Sequence, residues 1–88
     1  MLTEEQIDFL TILKLSMGIV SIALQQTGLE REVFDEWKDN IFFNDKLKLI
    51  KETSIDFVEN KLMNEIKEGN VSAITFYLKT IGKDRGYS

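Results

Sequence analysis

Residues 19–38 read Ile19-Val20-Ser21-Ile22-Ala23-Leu24-Gln25-Gln26-Thr27-Gly28-Leu29-Glu30-Arg31-Glu32-Val33-Phe34-Asp35-Glu36-Trp37-Lys38. Val20, Ala23 and Leu24 recur at helical spacing up to Thr27, and Val33, Phe34 and Trp37 do the same between about residues 30 and 38. Two short helices meeting at a steep angle need a small residue on the first, so that the second can approach, and Ala23 supplies it. The turn needs a residue that tolerates positive φ, and Gly28 supplies that. Leu29 then plugs the angle, while Phe34 and Trp37 anchor the second helix. The pattern predicts a helix-turn-helix, with the second helix turned outward along Arg31, Glu32, Asp35, Glu36, Lys38 and Asp39. The plainer reading, a tight helical corner with no further role, uses the same residues.

Upstream, Thr3-Glu4-Glu5-Gln6 is a capping-box pattern and opens a first helix. Ile7, Leu10, Leu13 and Met17 follow at helical spacing, and Gly18 is the expected stop. Downstream, Asn40 falls in a link, and one long helix is predicted from about Phe43 to Glu68, closed by Gly69. Phe43, Leu47, Ile50, Ser54 and Phe57 keep a 4-3-4-3 rhythm resembling a heptad seam, and Val58, Leu62 and Ile66 continue at steps of four. Asn70 is an N-cap for a fifth helix, Val71 to about Thr80, that buries Ile74 and either Tyr77 or Leu78. Residues 82–88 read as a polar, frayed tail. The expected fold is all-α with about five helices. Residues 1–40 form the helix-turn-helix part. Residues 41–88, the long helix, C-terminal helix and basic tail, pack with it as one domain and serve oligomerisation.

Composition excludes several classes of function. The chain has 88 residues, 43% of them hydrophobic, with no proline and five glycines, which favours helices joined by short turns. With no cysteine and no histidine, thiolate or imidazole nucleophiles and ordinary zinc ligation are ruled out. No phosphate-cradling glycine loop is present. Asp45, Glu52, Asp56 and Glu59 read as a solvated helix face rather than a metal site or an acid–base pair. A non-enzymatic protein without cofactor or metal is expected. No apolar run reaches membrane-spanning length, and the acidic start is unlike a signal peptide, so a soluble, cytoplasmic protein is expected.

The net charge of −4 is unevenly spread. Residues 1–40 hold three basic and eight acidic side chains, and residues 41–88 hold eight basic and seven acidic. A nucleic-acid binder ordinarily carries a basic footprint.

Gly28-Leu29-Glu30-Arg31-Glu32-Val33-Phe34-Asp35-Glu36-Trp37-Lys38 resembles the second half of the helix-turn-helix in small terminase subunits of tailed bacteriophages and prophages. There a glycine and an aliphatic residue precede a Ser or Thr cap, several polar residues, an aromatic and Trp. Lys67-Glu68-Gly69-Asn70-Val71-Ser72-Ala73-Ile74-Thr75-Phe76-Tyr77-Leu78-Lys79-Thr80, extended by Gly82-Lys83-Asp84-Arg85-Gly86-Tyr87, is similar to the ending of one branch of that family. The resemblance covers roughly residues 7–87. It implies a homeodomain-like three-helix helix-turn-helix followed by helices that associate into an oligomer. It further implies that the oligomer marks viral DNA for packaging in a bacterial host cell and hands it to a large ATPase-nuclease subunit. On that basis double-stranded DNA would meet Arg31 and Lys38, with the basic tail residues Lys79, Lys83 and Arg85. The chain departs from the pattern at Glu30, where a Ser or Thr cap is usual, and in the acidity of Asp35 and Glu36. Those departures suit a second reading, a protein-interaction module on a helix-turn-helix scaffold that has lost its DNA face.

A helix of about 25 residues spans roughly 37 Å, whereas a compact domain of this size is about 30 Å across. The long helix is therefore expected to project and to be covered by a second copy through Leu47, Leu49, Ile50, Phe57 and Met63.

Overall fold

The structure, a computed structural model, describes residues 1–87. Five helices follow one another, α1 (Glu4–Leu15), α2 (Val20–Thr27), α3 (Arg31–Trp37), α4 (Ile41–Lys67) and α5 (Val71–Thr80), then a single 3-10 turn at Lys83–Arg85. No strand occurs among the described residues, so the fold is all-α. The chain divides into two compact units, Met1–Ile55 and a second beginning at Asp56, and the division falls inside α4.

In the first unit, α1 starts on the expected capping box. The Gln6 backbone N–H donates to Thr3 Oγ1 at 3.1 Å and the Thr3 N–H donates to Gln6 Oε1 at 2.9 Å. Two orphan donors of the first turn are thereby satisfied, and Gln6 is drawn into the interior. This shifts the buried stripe from the expected one. Gln6, Phe9, Leu10, Leu13 and Ser16 face inward, while Ile7 and Met17 are exposed. Met17 has left the helix, with φ at +57°, and the Gly18 N–H closes the end by donating to the Leu13 carbonyl at 2.9 Å. Gly18 also sits close to α4. A Cβ at this position would lie 3.2 Å from Ser54 Oγ and 3.4 Å from Lys51 Cα, so the turn packs where only glycine fits easily.

The core of this unit is aromatic at its centre. Phe9 of α1 meets Phe34 and Trp37 of α3 and Phe43 of α4, with ring centroids 5.5, 6.0 and 6.2 Å away. Phe43 in turn lies 6.0 Å from Phe34 and 5.4 Å from Trp37, both nearly edge-on, a geometry aromatic rings favour. Leu10, Leu13, Ala23, Leu24, Leu47 and Ile50 complete it. Asn40 is more than a link: its Oδ1 accepts from the Phe42 N–H at 2.9 Å and starts α4 at Ile41, two residues before the predicted start.

The second unit contains the rest of α4 and α5, joined through Gly69, whose φ is +86°. Asn70 caps α5 as expected, accepting from the Ala73 N–H at 3.0 Å, and its Nδ2 donates to Glu65 Oε2 at 3.1 Å. Ala73 is buried, and Leu62, Ile66, Ile74 and Leu78 are half-buried. Leu78 rather than Tyr77 therefore joins Ile74 on the inner side. The segment expected to be frayed forms the 3-10 turn Lys83–Arg85, closed by Gly86 at φ +94°. Residue 88, the last of that tail, lies outside the described residues. No helix among the described residues is long and apolar enough to cross a membrane.

Candidate nucleic-acid interface

The corner between α2 and α3 carries the features read from residues 19–38. Ala23 is completely buried and Leu24 nearly so. The Gly28 N–H donates to the Leu24 carbonyl at 2.9 Å, with φ at +73° and no neighbour within 4 Å of a would-be Cβ. The glycine is thus required by the backbone conformation and not by crowding. Thr27 stitches the same turn, which the sequence reading missed. Its hydroxyl donates to the Ala23 carbonyl at 2.8 Å and accepts from the Leu29 N–H at 3.3 Å. The signal was present, since Thr two residues before a turn residue commonly bonds the local backbone. Leu29 and Trp37 are half-buried against the core, and Phe34 is buried within it.

Anchoring α3 on Phe34 and Trp37 leaves Arg31, Glu32, Asp35, Glu36, Lys38 and Asp39 exposed. The two bases on this face differ in state. Lys38 Nζ lies 3.1 Å from Asp35 Oδ1 and 5.2 Å from the centre of the Phe34 ring, so it is held along its own helix by one carboxylate and one aromatic face. That is the single ion pair among the described residues, and Arg31 makes none. Glu30, standing where a Ser or Thr would cap the helix, makes no side-chain capping bond, so α3 begins with its first N–H groups unsatisfied by a cap. Alongside, α2 exposes Ser21, Gln25 and Gln26, neutral groups able to donate to phosphate oxygens. Being uncharged, they leave no electrostatic signature in the sequence.

The remaining basic residues expected at DNA, Lys79, Lys83 and Arg85, are exposed in the second unit. Lys79 lies in the last turn of α5, where its charge complements the helix dipole.

The residues expected at a subunit interface separate into two groups. Leu47 and Ile50 are buried in the core of the first unit, covered by Phe9, Leu13 and their neighbours, so they are unavailable to a second copy. The heptad-like rhythm that marked them out is the inward stripe of α4. Leu49, Phe57 and Met63 are more than half exposed. Phe57 has Lys61 Nζ 5.4 Å above its ring. No group of three or more His, Cys, Asp or Glu side chains gathers to hold a metal ion among the described residues.

Compared with known protein families, with curated proteins and with solved structures, the chain has no match.

Proposed function

We propose that this chain is a DNA-binding helix-turn-helix adaptor of the small terminase kind, acting as an assembly of copies that engages viral DNA and passes it to a large ATPase-nuclease subunit in the bacterial cytoplasm. One observation carries the reading. Ala23 is completely buried, Gly28 is left-handed and Leu29 half-buried, as expected at the corner of a helix-turn-helix, and the buried Phe34 leaves the polar side of α3 exposed, which supports the reading. The sequence resemblance, which spans this corner and the Phe76-Tyr77-Leu78-Lys79 ending, points the same way.

In this reading the contact is made chiefly to the phosphate backbone. Arg31, without a carboxylate partner among the described residues, is the leading base on α3. Gln25 and Gln26 donate from α2, and Lys79, Lys83 and Arg85 add charge from the second unit. Four carboxylates on the exposed side of α3 oppose this, so affinity is modest and strongly dependent on salt.

A second reading has its own support. Lys38 is committed to Asp35 and Phe34, which removes half of the positive charge from the α3 face. A protein-interaction module that keeps the scaffold without DNA contact would have that property.

Charge reversal separates the two. Replacing Arg31→Glu together with Lys83→Glu is expected to abolish retention on mixed-sequence duplex DNA while the helical circular dichroism is unchanged. Retention equal to that of the wild type would refute the assignment of these residues.

A further inference from the structure

Residues 1–40 hold eight carboxylates against three bases, an excess that DNA contact does not use. Two of these carboxylates, Glu5 and Asp8, border a cleft within the first unit. It lies between α1, the end of α2 with Leu29, and Trp37 of α3, and has a volume of about 340 Å³. Small-molecule pockets run from roughly 300 to 1,000 Å³, so this one suits a single long side chain.

The interior of the cleft is apolar. Phe9, 2% exposed, forms its floor, and the half-buried Ile12, Leu29 and Trp37 form its sides. Phe9 and Phe43 meet Trp37 at steep angles, 76° and 67°, so neither ring is stacked flat upon the indole. Among the described residues the two lysines held over aromatic rings are elsewhere, Lys38 on Phe34 and Lys61 on Phe57.

The carboxylates beside the cleft are uncompensated. Glu5 and Asp8 stand three residues apart on α1 and share one face of the helix, where like charges repel. Glu5 lies in the first turn, where the helix dipole favours an acid. Asp8 lies beyond that turn, and neither carboxylate is ion-paired among the described residues. An indole next to two unpaired carboxylates, over an apolar floor, complements a cation carried on an apolar stem. Lysine and arginine both have that form, but a planar guanidinium also stacks on an indole and pairs two-pronged with a carboxylate.

We infer that the cleft receives an arginine side chain from a basic, extended segment of a partner protein. The methylenes of the guest lie along Ile12 and Leu29, its guanidinium stacks on Trp37, and Glu5 and Asp8 accept its N–H groups. The other carboxylates of residues 1–40 attract the rest of the segment, a use of charge that a free small cation would not make. Arg31 and Lys38 do not border the cleft, and the guest makes no use of Gln26, which does. Docking therefore goes beyond the proposed function and does not rest on it.

Trp37 is the sole tryptophan, so its emission reports the guest directly. The experiment titrates the full chain, without DNA and at low salt, with an end-capped Gly-Ser peptide holding two arginines. A saturable change in emission is expected. The same peptide with citrulline, uncharged but of similar shape, is expected to bind at least about tenfold more weakly, and with lysine at least about threefold more weakly. Glu5→Gln combined with Asp8→Asn is expected to lower affinity for the arginine peptide at least about fivefold, with helical circular dichroism retained. Glu32→Gln combined with Glu36→Gln removes the same charge from α3, where neither residue borders the cleft, and is expected to change affinity less than about twofold. An unchanged emission, equal binding of the citrulline or lysine peptide, or equal losses in the two double variants would each overturn the proposal. Argininamide bound as tightly as the peptide would overturn it too, since a small cation and not a partner segment would then be the guest.

Discussion

Lys38 and Asp35 are joined at 3.1 Å across one turn of α3, with both side chains about half exposed. An exposed pair of this kind contributes little to stability, of the order of 0.2–1 kcal/mol. Its consequence lies in the electrostatics of the face, since it neutralises one of the two bases exposed there. Asp35→Asn should therefore leave the melting temperature nearly unchanged and, on the proposed function, tighten duplex DNA binding and steepen its salt dependence by about one phosphate contact. Titrations of both proteins across a salt series measure this. An unchanged slope would mean that Lys38 does not reach a phosphate even when released.

Glu30 and Gly28 make opposite demands on the corner between α2 and α3. Glu30 holds the N-cap position of α3 without a capping bond, so Glu30→Ser should stabilise the fold by about 0.5–1 kcal/mol by supplying one. Gly28, at φ +73° with open space around it, should tolerate Asn but lose about 1–2 kcal/mol as Val, a cost that is conformational and not steric. Denaturant unfolding curves of the three variants check the pair of statements. A destabilised Glu30→Ser would show that the carboxylate's favourable interaction with the helix dipole outweighs the missing cap.

Phe9 is in contact with three other aromatic rings and is 2% exposed, whereas Ile7, two residues earlier, is half exposed. Phe9→Ala should cost about 3–5 kcal/mol, enough to unfold a domain of this size near physiological temperature. Ile7→Ala should stay within about 0.5 kcal/mol. Thermal unfolding followed by circular dichroism distinguishes them, and equal losses would contradict the register of α1.

Leu47 and Phe57 make the same kind of contrast within α4. Leu47→Ala opens a cavity in the first unit and should lower stability by about 2–5 kcal/mol. Phe57→Ala, at an exposed position, should leave stability nearly unchanged. A loss in the Phe57 variant as large as that of Leu47→Ala would contradict the exposure of Phe57.

These contrasts show which parts of the molecule can be read from the chain itself. The capping box at Thr3 and Gln6, the glycine stops at Gly18, Gly28 and Gly69, and the Asn70 cap depend on neighbours a few residues away, and their positions emerge directly from local chemistry. The inward faces depend on contacts distant in sequence. Ile7 and Met17 fit helical periodicity as well as Phe9 does, and only the cluster with Phe34, Trp37 and Phe43 gives Phe9 the central place. The same applies to Leu47 and Ile50, since a heptad-like stripe looks alike whether a second chain or the chain's own first helix covers it. At the candidate site, the acidity of α3 was legible. The engagement of Lys38 by Asp35 and Phe34 was not, because a lysine has three neighbours of suitable chemistry within one turn and its choice depends on how α3 is anchored.

The most direct test of DNA binding is a fluorescence-anisotropy titration of the wild-type protein with mixed-sequence duplex DNA at two salt concentrations. The account predicts saturable binding at low salt that weakens steeply at the higher salt, the slope counting the phosphates neutralised. No binding at low salt and high protein concentration would contradict it and would favour the second reading, a protein-interaction module.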